Sequence, residues 1–431
     1  MRLWAILAIL LTLSHGMALG EEEYSFDLSE IEEKPLDIGG YLELRPVLFK
    51  SDENSSLYKL NFYDRSKENT REEYNFTALL NGSYKKGATE FYATVNTDLT
   101  KSYLGWSEET TLYEGYMSLR PSSMLNFNIG KKTLKWGKGY AWNPVAFLDR
   151  PKDPEDPELA REGFVIVSAD YIKSFEGPLK TFSFTPVLMP VYDHINGDFG
   201  KNNRLDFAGK MYFLLYDTDI DFIFLTGQSK TRRYGMDFSG NITSNFEIHG
   251  ELAFVDDYKR NFIDSDGTVF NKEYDATSYL LGLRYLAKSD TTYIFEYFHD
   301  ATGFAESEMA DYFSFIDKGY DTYLASGDDS LLKQASNAAG GTYNRKNPMR
   351  DYLYLRVSQK EPFDILYFTP SLTGIFNIND KSFSIGPELL YTGIKNLELR
   401  LKTTFLVGDS YSEFGEKQNN SRIEFRVRYY F

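Results

Sequence analysis

The side chains capable of chemistry are few and scattered. His249 stands between Glu247 and Glu251, and a spacing of two puts all three on one face of a β-strand. An imidazole flanked by carboxylates can exchange protons. No nucleophile or second catalytic group accompanies it, so a histidine lining a polar interior is the better reading. Gly130-Lys131-Lys132-Thr133 has the ending of a phosphate-binding loop, but the upstream glycine of that motif would fall on Leu125, so the match fails. Asp264-Ser265-Asp266-Gly267 and Asp153-Pro154-Glu155-Asp156 gather oxygen ligands without the full spacing of a calcium loop. The chain has no cysteine, which excludes thiolate-bound zinc, iron–sulfur clusters and covalent haem. Only His194, His249 and His299 lie beyond the first twenty residues, too sparse for a metal cluster. No catalytic residue, metal or cofactor is expected. A net charge of −16 argues against nucleic acid as a partner, because a phosphate-binding surface has to be basic.

The elements that would position such residues are strands. From Arg422 to Phe431 the residues Ile423, Phe425, Val427, Tyr429 and Phe431 alternate with Arg422, Glu424, Arg426 and Arg428. A strand with that pattern sets an apolar face against a charged one. Runs of this kind recur about eighteen times between 37–49 and 422–431, with sixteen as the alternative count. Their connections sort into two classes. After even-numbered strands come short turns such as Lys85-Lys86, Pro121-Ser122, Asp217 and Lys288-Ser289; after odd-numbered strands come the long segments 50–72, 132–162, 255–275 and 301–349, with two brief exceptions at 228–230 and 377–380. Aromatic residues make up 16% of the chain, with 33 Tyr and 34 Phe, while the mean hydropathy is −0.42. That combination suits a transmembrane barrel, which needs rings at its two water–lipid boundaries and polar groups inside. The stretch Met211 to Leu225 is broken by Asp217, Asp219 and Asp221 and is no membrane helix.

Residues 1–20 read as a cleaved signal peptide. Arg2 gives a positive start, Leu3 to Leu11 an apolar core, and Ala18-Leu19-Gly20 a cleavage site. Residues 21–35 are acidic and lack a strand pattern, as expected of a flexible periplasmic segment, and 36–431 would form the barrel. The last ten residues closely resemble the C-terminal signal of Gram-negative outer-membrane β-barrels, in which a final Phe and alternating apolar residues are read by the barrel-assembly machinery. On that resemblance Phe425, Val427, Tyr429 and Phe431 form the assembly signal. The expected fold is all-β: a closed antiparallel transmembrane barrel of porin-like type, in contact with outer-membrane lipid, with short periplasmic turns and long outer loops.

A channel's selectivity depends on the charges lining it and on whatever narrows it. The strand register points Arg45, Arg400, Lys402, Arg422, Arg426 and Arg428 inward near the closing seam, and Glu247 and Glu251 inward elsewhere. A mainly basic strip would then face an acidic one, as in general diffusion porins; mutual pairing of the charges is the alternative. In 132–162, Pro144, Pro151, Pro154 and Pro157 prevent regular structure. This is the third outer loop, the one that in porins folds back and narrows the barrel. Trp136, Tyr140, Trp142 and Phe147, with Asp149, Asp153 and Asp156, are the expected constriction residues. The function expected is passive passage of small polar or charged solutes. The alternatives are a barrel that sheathes a partner such as a multihaem cytochrome, and an exporter of an acidic polymer. A homo-oligomer is compatible with the sequence.

Overall fold

The computed structural model describes residues 35–340 and 342–431. The expected signal peptide, and all but the last residue of the acidic segment after it, lie outside the described residues. Eighteen strands follow one another as β1 (Leu36–Ser51), β2 (Thr70–Lys86), β3 (Thr89–Ser102), β4 (Gly105–Ser122), β5 (Leu125–Lys132) and β6 (Phe164–Ser174). Next come β7 (Leu179–Val191), β8 (Arg204–Leu215), β9 (Thr218–Thr226), β10 (Arg233–Thr243), β11 (Phe246–Ile263) and β12 (Val269–Leu286). The last six are β13 (Thr291–His299), β14 (Asp351–Gln359), β15 (Phe368–Asn377), β16 (Phe383–Ile394), β17 (Leu397–Val407) and β18 (Asn419–Tyr430).

Each strand pairs antiparallel with its neighbours in sequence, and β1 pairs with β18, so a single sheet closes on itself. At the seam Tyr41 faces Tyr430 and Leu44 faces Val427. Gly40 and Phe431 exchange both backbone hydrogen bonds, at 3.2 and 3.1 Å. Closure follows from the solvent: hydrocarbon offers no partner to an N–H or C=O, so an open edge is not tolerated. The alternation read from β18 has the expected sense. Phe425 is 44% exposed on the outside of the barrel, while Glu424 and Arg426 are 6% and 4% exposed within it. Around the wall Leu44, Leu80, Phe127, Leu188, Phe222, Leu281 and Leu355 also face outward, a continuous apolar surface fit for lipid.

The long segments all leave odd-numbered strands at one end of the barrel, and the turns lie at the other. Three of these segments differ from expectation. The span 255–275 is mostly ladder, running from Tyr258 opposite Tyr274 to Ile263 opposite Val269 beyond a bulge at Val255–Tyr258. Cross-strand rings hold this extension above the barrel: Tyr258 meets Tyr274 edge-on at 5.9 Å and Phe262 stacks on Phe270 at 5.2 Å. Such pairs stabilise a hairpin even without lipid. The segments 50–72 and 301–349 contain helices: α1 (Ser56–Phe62), α2 (Glu306–Ser326) and α3 (Ser330–Ala339). Ser55 caps α1 by accepting from the Tyr58 amide at 3.3 Å. In α2, Glu308 accepts from the Ala305 amide at 2.9 Å, and Gly327, at φ 76°, ends the helix in a conformation that favours glycine. Met309, Tyr312, Phe313 and Ile316 of α2 pack in one apolar cluster with the lumen-facing Phe298, Tyr352 and Leu280. The helices therefore sit over the loop-bearing mouth.

This register makes a direct prediction. Phe425→Arg should lower the stability of the assembled, heat-modifiable form by about 2–4 kcal/mol if the position sits near the bilayer midplane. Phe425→Leu, still apolar, should cost less than about 1.5 kcal/mol. Urea titration of the barrel in bilayers measures both, and equal losses would shift the strand's register by one residue.

Candidate functional site: a loop clasped across the lumen

The third loop, 133–163, leaves β5, enters the barrel and returns to β6. At its base the Asp149 carboxylate accepts from the amides of Leu134, Lys135 and Trp136 at 3.0, 3.0 and 2.9 Å. The fold of the base puts Trp136, Val145, Phe147 and Leu148 against Ile166, Val187, Met189, Ile223 and Ala253 of the wall. Two wall carboxylates then hold the backbone. Glu251, on β11, accepts from the amides of Lys138, Gly139 and Val145 at 2.6, 2.6 and 3.2 Å and from the Asn143 side chain at 2.9 Å. Glu296, on β13, accepts from the amides of Tyr140 and Ala141 and bonds His249 Nε2 at 2.8 Å. That imidazole lies on Gly282 of the next strand, where a Cβ would come within 2.1 Å of Nε2. Trp142 stacks on Phe298 at 5.2 Å and touches Tyr352 and Tyr354.

The far part of the loop reaches the opposite wall. Glu155 pairs with Arg422, and its carbonyl accepts from Lys402 Nζ at 2.6 Å. Asp156 pairs with Arg426 at 2.9 Å and lies 3.7 Å from Arg400. Burial alone would raise both carboxyls, but Arg422 with Lys402 holds Glu155 below the ordinary range, and Arg426 with Arg400 does the same for Asp156. Asp153 pairs with Lys346 of the 300–350 segment at 3.0 Å. A cavity of 330 Å³ lies between this part of the loop and strands β1–β4, β17 and β18.

Of the seven residues expected to narrow the passage, Asp153 and Asp156 line this cavity. Trp136 and Phe147 are only 3% exposed, and Tyr140 and Trp142 pack on the β13–β14 side of the core. Asp149 closes the loop's own base. The rings seek burial, and the wall provides it, so the acidic residues are left at the opening. The seam is less basic than its sequence suggested. Arg45 lies 3.5 Å from Glu424 and 3.7 Å from Glu43; Arg428 pairs with Glu43 at 2.6 Å, and Arg400 with Glu398 at 3.1 Å. Lys346, Arg45, Lys402, Arg422 and Arg426 line the cavity together with six carboxylates, so the field there is interleaved rather than one-signed. Glu251 meets loop amides instead of open lumen, and Glu247 sits 3.7 Å from His249 Nδ1. Two residues of the site escaped the sequence reading: Glu296 and Lys346. Glu296 was signalled by its inward position between Phe295 and Tyr297; Lys346 carried no signal, because its partner lies on another loop.

A closed barrel with a charged interior, an apolar exterior and a loop folded through its lumen has the fold of porin-like outer-membrane β-barrels. Solved structures of this fold include three Pseudomonas aeruginosa proteins. OccK2 (OpdF), solved in complex with glucuronate, is 10% identical over 92% of this chain and 98% of its own, with a TM-score of 0.52. OccK5 (OpdH) is 14% identical over 92% and 98%, with a TM-score of 0.50; OccK11 (OpdR) is 12% identical over 91% and 96%, also at 0.50. At such identities the likeness is one of fold. No protein-family model and no curated protein matches the sequence.

Two predictions follow from the hydrogen bonds. Glu251→Ala removes the acceptor of four donors, each costing about 1–3 kcal/mol if left buried and unpaired. Protease should then cut within 133–163 while the barrel stays heat-modifiable; an uncut loop would refute the clasp. At the mouth, Glu413 of the 408–418 segment is buried and accepts from Tyr352 Oη at 2.6 Å and Asn377 Nδ2 at 2.8 Å. Burial, opposed by Lys417 and reinforced by Asp380, pushes its carboxyl up to about 7. Docked, the group binds a proton that the undocked carboxyl, titrating near about 4.3, has released. Docking should therefore weaken as pH rises from about 4.3 to 7 and change no further above that. Amide exchange of 408–418, corrected for intrinsic rates, should show that trend, and Glu413→Gln should abolish it.

Proposed function

We propose that this chain is a passive channel of the Gram-negative outer membrane for small polar or charged solutes, with 133–163 as its constriction. The observation that carries this reading is the loop held by carboxylates of one wall and cations of the other, leaving a narrow cavity in which guanidinium groups are interleaved with carboxylates. Export through residues 1–20 and assembly through the Phe425–Phe431 pattern would bring the barrel to that membrane. No covalent step is involved; a solute moves down its gradient. In a narrow passage the local dielectric is lower than in water, so each wall charge acts strongly on a passing ion. Planar guanidinium groups grip a carboxylate with two parallel hydrogen bonds, and the solved neighbour with bound glucuronate, a sugar acid, supports small carboxylates as the solute class.

Single-channel recording of the purified barrel tests this. Deleting 151–159 should raise conductance, and Arg422→Gln with Arg426→Gln should lower the preference for anions. The charge effect should shrink in 1 M salt, where the Debye length is about 3 Å. An assembled barrel whose conductance and selectivity ignore all of these changes would instead be a sheath for a partner such as a cytochrome.

A further inference from the structure

Two cavities meet at the loop. One, of 330 Å³, lies in the lumen; the other, of 250 Å³, lies toward the mouth among Leu57 of α1, Asn347, Phe414 and Lys417. Four residues line both: Asp153, Glu155, Lys346 and Arg422. They form two ion pairs, Lys346 with Asp153 at 3.0 Å and Arg422 with Glu155. The partition between mouth and lumen is thus made of two carboxylates of the loop, each held by a cation. The pairs are not equivalent. Arg422 and Glu155 are 29% and 21% exposed, and Lys402 adds a further bond to the Glu155 carbonyl. The Lys346 side chain is 64% exposed and pairs directly with Asp153, an exposed contact of the kind that contributes little in water, while its charge also reaches Glu155.

We propose that Lys346 is the docking point for the carboxylate of an incoming anionic solute, which displaces Asp153 and is then handed to Arg422 and the seam beyond. This rests on the anion-passing reading above and adds the step at which the solute is first selected. The ammonium keeps one carboxylate partner throughout, so no cation is stripped bare; the displaced Asp153 carboxylate stays on the loop and is hydrated instead. Asp153 acts here as a competitor. It occupies the site in the resting channel and sets how strongly a solute must bind to enter.

That role gives opposite signs to two substitutions, which a strut between loops would not. In planar bilayers, with gluconate added on the loop-bearing side of the full-length barrel, the half-blocking concentration is read from current fluctuations; sorbitol, similar in size and neutral, is the control. Lys346→Ala should raise that concentration for gluconate about two- to fivefold, the range for a partly exposed ion pair. Asp153→Asn should lower it by a similar factor, and Lys346→Arg should keep it near the wild-type value. Sorbitol should respond equally in all variants. If Lys346→Ala and Asp153→Asn shift the value in the same direction, or neither shifts it, the docking point is disproved. Arg422→Gln with Arg426→Gln in the same assay separates the two claims. Weakened block there with no effect at Lys346 removes only this inference, whereas no effect at either place removes the anion-channel reading as well.

Discussion

The structure depends first on the absence of water around its backbone. In hydrocarbon every N–H and C=O must find a partner within the protein, and a sheet achieves this only when its first and last strands pair. Here β1 and β18 do so from Tyr41–Tyr430 to Phe49–Arg422. Closure in turn dictates the side chains. Each strand must turn one face to lipid and the other to the lumen, which is why Ile423, Phe425 and Tyr429 are exposed and Glu424 and Arg426 are not.

The same accounting governs the lumen. Eighteen strands enclose more space than wall side chains can fill, and a polypeptide entering that space brings its own amides. The loop 133–163 limits the demand with Pro144, Pro151, Pro154 and Pro157, which have no N–H. The amides from Leu134 to Ala141 that need partners obtain them from Asp149, Glu251 and Glu296. A carboxyl group that accepts from several backbone donors at once is a strong arrangement. Its rigidity lets the acidic residues at 153–156 stand at fixed distances from the seam, and the charged passage is a consequence of the apolar and hydrogen-bonded anchoring on the other side.

Much of this was legible in the sequence, for identifiable reasons. Alternation with period two depends only on which solvent each face meets, so all eighteen strands and the inward course of Arg400, Arg422 and Arg426 could be read locally. Strand ends were less legible: the β11–β12 hairpin outruns the membrane because Tyr258, Phe262, Phe270 and Tyr274 stabilise each other, not because lipid requires it. The helices at 306–339 were hidden in a segment treated as loop. The roles of charged groups were the hardest to read, since Glu251 becomes a clasp only by meeting amides more than a hundred residues away. The aromatic residues of the loop were legible as groups seeking burial, but not as to where that burial lay.

An unbroken strip of cations along the seam would repel itself, since like charges on adjacent strands destabilise a sheet. Interleaving resolves this: Glu43 lies between Arg45 and Arg428, and Arg426 contacts Glu424 as well as Asp156. The wall is assembled with its counter-charges already in place. On the proposed reading, a carboxylate solute would meet no bare positive field to trap it. It would compete at each step with a carboxylate of similar chemistry, and the difference between holding one and holding the other would be small. Conduction needs binding firm enough to admit a solute and weak enough to release it. A lumen of exchangeable ion pairs would meet both conditions with the same residues that make the barrel stable.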